Sequence, residues 1–245
     1  MLNLVKLKLF WASFIDIIYP RYCLICSKSI DDSSYEGACK ACLEKIDVNA
    51  APFCKKCGAS LKSSTAMAND SCAECRHKQY YFDRALSVCE YAGIARKCIQ
   101  LFKYKRKLKI GRNLSKIMLA FLKKHFTLDS IDLIMAVPLH RSKLKERGFN
   151  QAEILAEFIR LNLDIPASFD NLKRVRKTLS QYQLPLGKRQ KNMRDAFGCA
   201  DKVFFKNKSI LIVDDIFTTG ATLNECSRVL KNAGAKKVYT LTIAR

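Results

Sequence analysis

Four C-x-x-C pairs fall between residues 23 and 75: Cys23/Cys26, Cys39/Cys42, Cys54/Cys57 and Cys72/Cys75. Two thiolates at this spacing converge on one tetrahedral metal ion, and two such knuckles complete a four-sulfur site. Twelve residues separate the first two pairs and 14 the last two, slightly under the ~15–20 common in such ribbons. The pattern therefore predicts two zinc sites. Sequential pairing of the knuckles is the simpler assignment; an interleaved pairing is also compatible with the spacing. Four thiolates leave no open position for substrate or activated water, so both ions are expected to be structural. Disulfides are disfavoured by the lack of a secretion signal. The segment is poor in apolar residues, and metal is expected to stand in for a core. The other four cysteines, Cys89, Cys98, Cys199 and Cys226, sit among apolar neighbours and read as small core residues.

The composition shifts near RHKQYYF (76–82), after which strands and helices alternate. FDRALSVCEYA (82–92) reads as a strand, and residues 94–111 as helical in their first half and strongly basic in their second. Apolar residues at 114, 117, 118, 121 and 122 give a helix period. IDLIMAVPL (131–139) is a buried strand, and Gly148 precedes a helix with apolar positions 152, 155, 158 and 159. LKRVRKT (172–178) reads as an edge strand, Ile210–Val213 as the most apolar strand and 238–245 as a closing strand. Between the last two, Leu223, Cys226, Val229, Leu230 and Ala233 line one helix face, with Gly234 at its C-cap. The expected fold is α/β, a parallel sheet covered by helices on both faces. Three regions follow: an N-terminal amphipathic helix over 1–20, a double zinc-ribbon module over 21–80, and an α/β domain over 81–245.

The N-terminal MLNLVKLKLFWASFIDIIYPRYC carries Lys6 and Lys8, is interrupted by Asp16 and stops at Pro20. It is too short and too charged for the roughly 18–20 apolar residues of a membrane span. Packing on its own protein is the simpler reading, and peripheral contact with a membrane the alternative. The 44 Lys and Arg against 22 Asp and Glu give a net charge of +22. Such a surplus favours polyanionic partners: nucleic acid, anionic lipid or phosphorylated ligands. A general lysine enrichment would produce the same number.

ILIVDDIFTTGAT (210–222) drives an apolar strand into two aspartates, then into small hydroxyl residues around one glycine. Capping accounts for one Asp or one Thr. It does not account for Asp214 and Asp215 followed by Thr218, Thr219, Gly220, Ala221 and Thr222. A small-residue loop feeding a helix N-terminus presents N–H groups and hydroxyls to an anion. Beside it, two carboxylates suit vicinal hydroxyls. A sugar phosphate meets both demands, and ligands of parallel sheets bind beyond the C-terminal strand ends, where these residues fall.

This stretch resembles the phosphoribosyl pyrophosphate (PRPP) motif of type I phosphoribosyltransferases. The resemblance implies that Asp214 and Asp215 hold the ribose hydroxyls, that residues 218–222 hold the 5′-phosphate, and that Mg²⁺ bridges the pyrophosphate. VPLHRSKLKERGFNQAEILA (137–156), RVRKTLSQYQLPLGKRQKNMRDAF (174–197) and the knuckles together resemble the ComF family of competence proteins over essentially the whole chain. That likeness implies a cytoplasmic protein handling single-stranded DNA during natural transformation, with the inner membrane face as a further location.

Several residues are candidates for phosphate or DNA contact. Arg147 offers a bidentate fork; Gly148 permits close backbone approach; Asn150 can cap the following helix. Arg174, Arg176, Lys188, Arg189, Lys191 and Arg194 form a second basic concentration, with Thr178 and Gln181 as neutral hydrogen-bonding groups. QLFKYKRKLKIGR (100–112) interleaves Phe102 and Tyr104 with Lys103, Lys105, Arg106, Lys107 and Lys109, a pattern suited to stacking bases while following a backbone. No histidine is assigned a role. Three functions are thereby open: a DNA-handling protein that retains a PRPP site, a working phosphoribosyltransferase acting on a nucleobase or related acceptor, and a zinc-ribbon scaffold that recruits a helicase or membrane channel.

Overall fold

The computed structural model describes residues 22–30, 32, 35–61, 70–176 and 192–245. The N-terminal helix expected over 1–20 lies outside these residues, as do Thr178, Gln181, Lys188, Arg189 and Lys191.

After the short helix α1 (Lys40–Leu43) the chain forms β1 (Arg84–Cys89), α2 (Gly93–Lys105), α3 (Leu108–His125), β2 (Leu133–Ala136), α4 (Arg141–Arg147) and α5 (Gln151–Leu163). It continues through β3 (Leu172–Arg174), β4 (Phe197–Cys199), β5 (Ser209–Ile216), α6 (Ala221–Asn232) and β6 (Lys237–Ala244). Four strands make a parallel sheet in the order β1-β6-β5-β2. The first five residues of β5 are all buried, which is why its sequence is a continuous apolar run rather than an alternation. Helices α3 and α5 pack on each other and on the sheet, while α6 contacts β6 and β4.

The sheet thus has flanking helices, as the sequence predicts. Two details differ. The stretch read as an edge strand contributes only Leu172–Arg174, and it pairs antiparallel with β4 in a separate two-stranded sheet. The basic stretch 100–112 is no single element: Arg106 adopts a left-handed conformation (φ 51°) that ends α2, and α3 starts at Leu108.

The cysteine-rich segment leans on this frame instead of standing apart. Ile30, Leu43, Ile46, Phe53 and Leu61 belong to the same buried cluster as the sheet residues, and Phe53 meets Phe121 edge-on at 5.5 Å. The expectation that metal replaces a core is corrected accordingly, because the ribbons share the core of the α/β region. The first ribbon docks on α2 and α3, where Lys97 donates to the Ile25 carbonyl and Asn113 to that of Glu36. The second docks along β1: Ala85 N–H donates to the Lys55 carbonyl, Ser87 Oγ to that of Cys57, and Asn49 Nδ2 to that of Ser87. Gly58 makes this approach possible. A Cβ there would lie 2.3 Å from the Ser87 nitrogen, and its φ of +75° disfavours side chains besides.

Candidate functional site

β5 delivers its two aspartates at the C-terminal end of the sheet. Asp215 is buried, and its Oδ2 lies 2.6 Å from Nζ of Lys103 on α2. Asp214 is half-buried and accepts the Asp215 backbone N–H through Oδ1 at 2.8 Å. Burial, reinforced by the like charge of Asp215, pushes the Asp214 carboxyl up to about 7. Burial works against the charge on Lys103, but the adjoining Asp215 carboxylate more than restores it, and its pKa is raised. Asp214 is thus the half of the pair whose protonation changes near neutrality, and Asp215 the half held by an ion pair.

Beyond Ile216 the chain turns sharply. Phe217 N–H still donates to the Ala244 carbonyl of β6, after which Thr218, Thr219 and Gly220 lead into α6. Gly220 is in the left-handed region (φ +76°), and a Cβ there would strike the rings of Phe217 and Tyr80. Thr219 Oγ1 accepts from Ala221 N–H at 3.4 Å. A small recess lined by Asp214, Phe217, Thr218, Gly220, Ala221 and Thr222 joins the first of the two aspartates to the start of α6. The Asp214 carboxyl and the first residues of α6 therefore border one space, where helix N–H groups favour an anion.

The predicted basic contacts divide into three groups. Arg106 and Arg147 converge: Arg106 Nη2 donates to the Glu146 carbonyl, Arg147 Nη1 donates to Gln151 Oε1 at 2.6 Å, and the Arg147 guanidinium lies 5.7 Å from the Tyr104 ring centroid. The R-G-F-N-Q motif and the basic-aromatic stretch thus meet each other. Lys103 and Asn150 are committed inward. Lys103 is ion-paired with Asp215, and Asn150 is buried, capping α5 while its Nδ2 donates to the Val137 carbonyl and Glu153 Oε1. Phe102 is likewise core, at 0% exposure, and cannot stack a base, whereas Tyr104 is 69% exposed. Arg174 and Arg176 lie on and after β3. Arg174 packs over Phe197, and burial lowers its pKa while the charge of Asp214 supports it. Arg176 donates to the carbonyls of Asn192 and Arg194. Arg189 falls outside the described residues.

The cysteines gather as Cys23/Cys26/Cys39/Cys42 and Cys54/Cys57/Cys72/Cys75, the sequential pairing, with all four sulfurs of each cluster within 4.8 Å of one another. Cys26 and Cys39 sulfurs are 3.8 Å apart and those of Cys57 and Cys72 3.7 Å. A tetrahedron with Zn–S arms of ~2.3 Å has edges of about 3.8 Å, far longer than a disulfide bond of ~2.0 Å. Backbone N–H groups of Ile25 and Cys39 point at the Cys23 sulfur. Although burial opposes it, such backbone donors bring the Cys23 thiol down to about 6. In the second cluster, hydrogen bonds from Cys57 and Cys75 hold Cys54 far below the ordinary thiol range, and Cys75 is pushed up to about 12. Four thiolates this close ionise together only around a cation, and the donor sets fit structural zinc. Of the remaining cysteines, Cys89, Cys98 and Cys226 are buried; Cys199 is half-buried.

Two features were not foreseen from the sequence. Tyr80, in the stretch read only as a boundary, donates through its hydroxyl to the Thr219 carbonyl at 3.1 Å. Arg245 reaches Glu74 at 2.8 Å, beside the second cluster. The aromatic pair Tyr80–Tyr81, five residues past the last knuckle cysteine, is the signal that could have pointed to the first.

Comparisons with known proteins match two parts of the chain. Residues 14–76 match the double zinc ribbon domain family and residues 145–245 the phosphoribosyl transferase domain family. Competence protein F of Haemophilus influenzae is 30% identical over 213 residues, 85% of this chain and 90% of its own length. The chain belongs to the competence protein F family. Other relatives in this ComF group are the DNA utilization protein YhgH of Escherichia coli K12, 27% identical over 92% of this chain and 97% of its own, and competence protein ComFC of Streptococcus pneumoniae, 27% identical over 88% and 89%. A solved purine phosphoribosyltransferase from Pyrococcus horikoshii aligns with 54% of this chain and 71% of its own at 18% identity, with a TM-score of 0.35.

Proposed function

We propose that this ComF-family protein handles incoming single-stranded DNA during natural transformation and carries a working PRPP-binding site at the end of β5. The observation that carries the reading is the Lys103–Asp215 ion pair, which ties the acidic pair at the end of β5 to α2, the helix whose Tyr104 packs beneath Arg147. The recess that Asp214 shares with residues 217–222 supports it from the other side.

In this reading Asp214 and Asp215 accept the ribose 2′- and 3′-hydroxyls, and the N–H groups and hydroxyls of Thr218, Thr219, Ala221 and Thr222 receive the 5′-phosphate. Mg²⁺ enters with the pyrophosphate and neutralises its charge. Tyr104 offers a stacking surface, and Arg106, Arg147 and the neighbouring lysines follow the phosphate backbone. The names of the relatives, which speak of competence and DNA utilization, support this reading, as does the net charge of +22. Among the described residues no helix is long and apolar enough to cross a membrane, which is compatible with a cytoplasmic location. The two zinc ions are structural, and the partner that receives the DNA is a helicase or the membrane channel.

Calorimetric titration with Mg²⁺ and PRPP tests the site. Saturable binding that is lost in Asp214→Asn is expected; no binding by the wild-type protein would refute the sugar-phosphate reading. A transferase activity would additionally release pyrophosphate when nucleobases are supplied, and the intact acidic pair and loop favour testing it.

A further inference from the structure

The segment leaving the second cysteine cluster runs straight onto the phosphate loop. Lys56 lies inside the Cys54–Cys57 knuckle, and its ammonium donates to three carbonyls of that segment, those of Cys75 (3.1 Å), Arg76 (3.1 Å) and Lys78 (2.6 Å). Two residues further on, Tyr80 stacks on Phe82 with ring centroids 4.7 Å apart and meets Phe217 edge-on at 6.1 Å. Its hydroxyl donates to the Thr219 carbonyl, and its ring occupies the space that a Cβ at Gly220 would need. The next residue, Tyr81, donates its backbone N–H to Asn224 Oδ1 in the first turn of α6 at 2.7 Å. Both halves of the anion-binding element, the loop and the helix start, are therefore gripped by a strap whose other end is fixed in the second cluster.

We infer that Tyr80 is a positioning residue through which metal at the second cysteine cluster sets the conformation of the phosphate loop. A loop of small residues such as 218–222 has many backbone conformations open to it, and binding must otherwise meet the entropy of selecting one. The strap selects it beforehand. Loss of metal from Cys54/Cys57/Cys72/Cys75 frees Cys72 and Cys75, the anchor of the strap. The first cluster docks on α2 and α3, and among the described residues no hydrogen bond runs from it to the loop. The two ribbons, alike in sequence, then have different duties.

The inference rests on the sugar-phosphate reading for the identity of the ligand, but its test does not need that ligand. Hydrogen exchange of the amides at 217–222 is measured in the full-length, zinc-loaded protein, in Tyr80→Phe, in Lys56→Met, and in Cys26→Ser as a control in the first cluster; zinc per chain and Mg²⁺–PRPP affinity are measured alongside. Tyr80→Phe keeps the ring packing and removes one hydrogen bond, so it should retain both zinc ions, speed exchange of the loop amides about fivefold and weaken PRPP to a similar degree. Lys56→Met should do the same with zinc retained. Cys26→Ser should lose zinc from its own cluster and leave loop exchange unchanged. Wild-type exchange in Tyr80→Phe, or equal loosening by Cys26→Ser, would overturn the inference. If wild-type protein fails to bind PRPP while Tyr80→Phe still loosens the loop, the ligand reading falls and the coupling stands. If PRPP binds wild type and Tyr80→Phe alike with unchanged exchange, the coupling falls and the ligand reading stands.

Discussion

The ammonium of Lys103 lies 2.6 Å from the carboxylate of Asp215, with side-chain exposures of only 19% and 10%. This pair ties α2, the helix that leads to the Arg106–Arg147 face, to the strand that carries the acidic pair. With Lys103 on one oxygen of Asp215, two carboxylates can stand side by side at a strand end without a ligand.

Removing the cation should therefore expose their repulsion. Lys103→Met is expected to destabilise the protein by about 3 kcal/mol, the usual consequence of leaving one partner of a buried pair. Adding Asp215→Asn should recover most of that loss. Urea denaturation of the four proteins in a double-mutant cycle checks this; additive effects would show that the pair contributes nothing of its own.

Asp214 gives a pH dependence whose sign follows from its raised pKa. Burial and the charge of Asp215 push its carboxyl from 3.8 to about 7, so the folded protein holds this proton more tightly than the unfolded chain. The associated stability is complete below about pH 4 and is lost as pH rises through about 7. Asp214→Asn should accordingly be more stable than wild type at about pH 8, with the gain shrinking toward about pH 4. Denaturation midpoints across that range test it, and an Asn variant less stable than wild type at the higher pH would contradict it.

Two zinc ions per chain are expected, one for each cluster. Cys26→Ser should lower the metal content by about one ion per chain, whereas Cys89→Ser, a change at a buried cysteine outside both clusters, should leave it at two. Metal analysis of protein purified without chelator distinguishes these outcomes from an unmetallated or disulfide-bonded module.

Gly58→Ala tests whether the second ribbon needs its close seat on β1. The new methyl would lie 2.3 Å from Ser87 N, at a φ of +75°. Overpacking combined with a left-handed non-glycine residue should cost about 2–4 kcal/mol. A calorimetric midpoint equal to wild type would show that the ribbon can shift without penalty.

Legibility in the sequence followed the range of the interactions. The knuckles and the β5–loop–α6 unit are contiguous, with spacing or hydropathy that states their geometry directly. The Lys103–Asp215 pair joins residues far apart in the chain, and local pattern has no access to it. Phe102 and Tyr104 show a different failure: two positions on a helix are about 200° apart, so both could not face the same strand of DNA, and burial sends Phe102 inward. The exact break at Arg106 has no sequence marker, because its left-handed turn is made without glycine or asparagine. Tyr80 was missed because a boundary chosen on composition ran through the contact that joins the two regions.

Sugar-phosphate binding and DNA binding are proposed to meet in one protein. Fluorescence anisotropy of labelled single-stranded DNA, titrated with and without Mg²⁺ and PRPP, tests it most directly. Binding should weaken steeply with salt as phosphate contacts release counterions, and PRPP should shift the affinity in the wild-type protein but not in Asp214→Asn. Absence of DNA binding at moderate salt, or an affinity indifferent to PRPP, would contradict it.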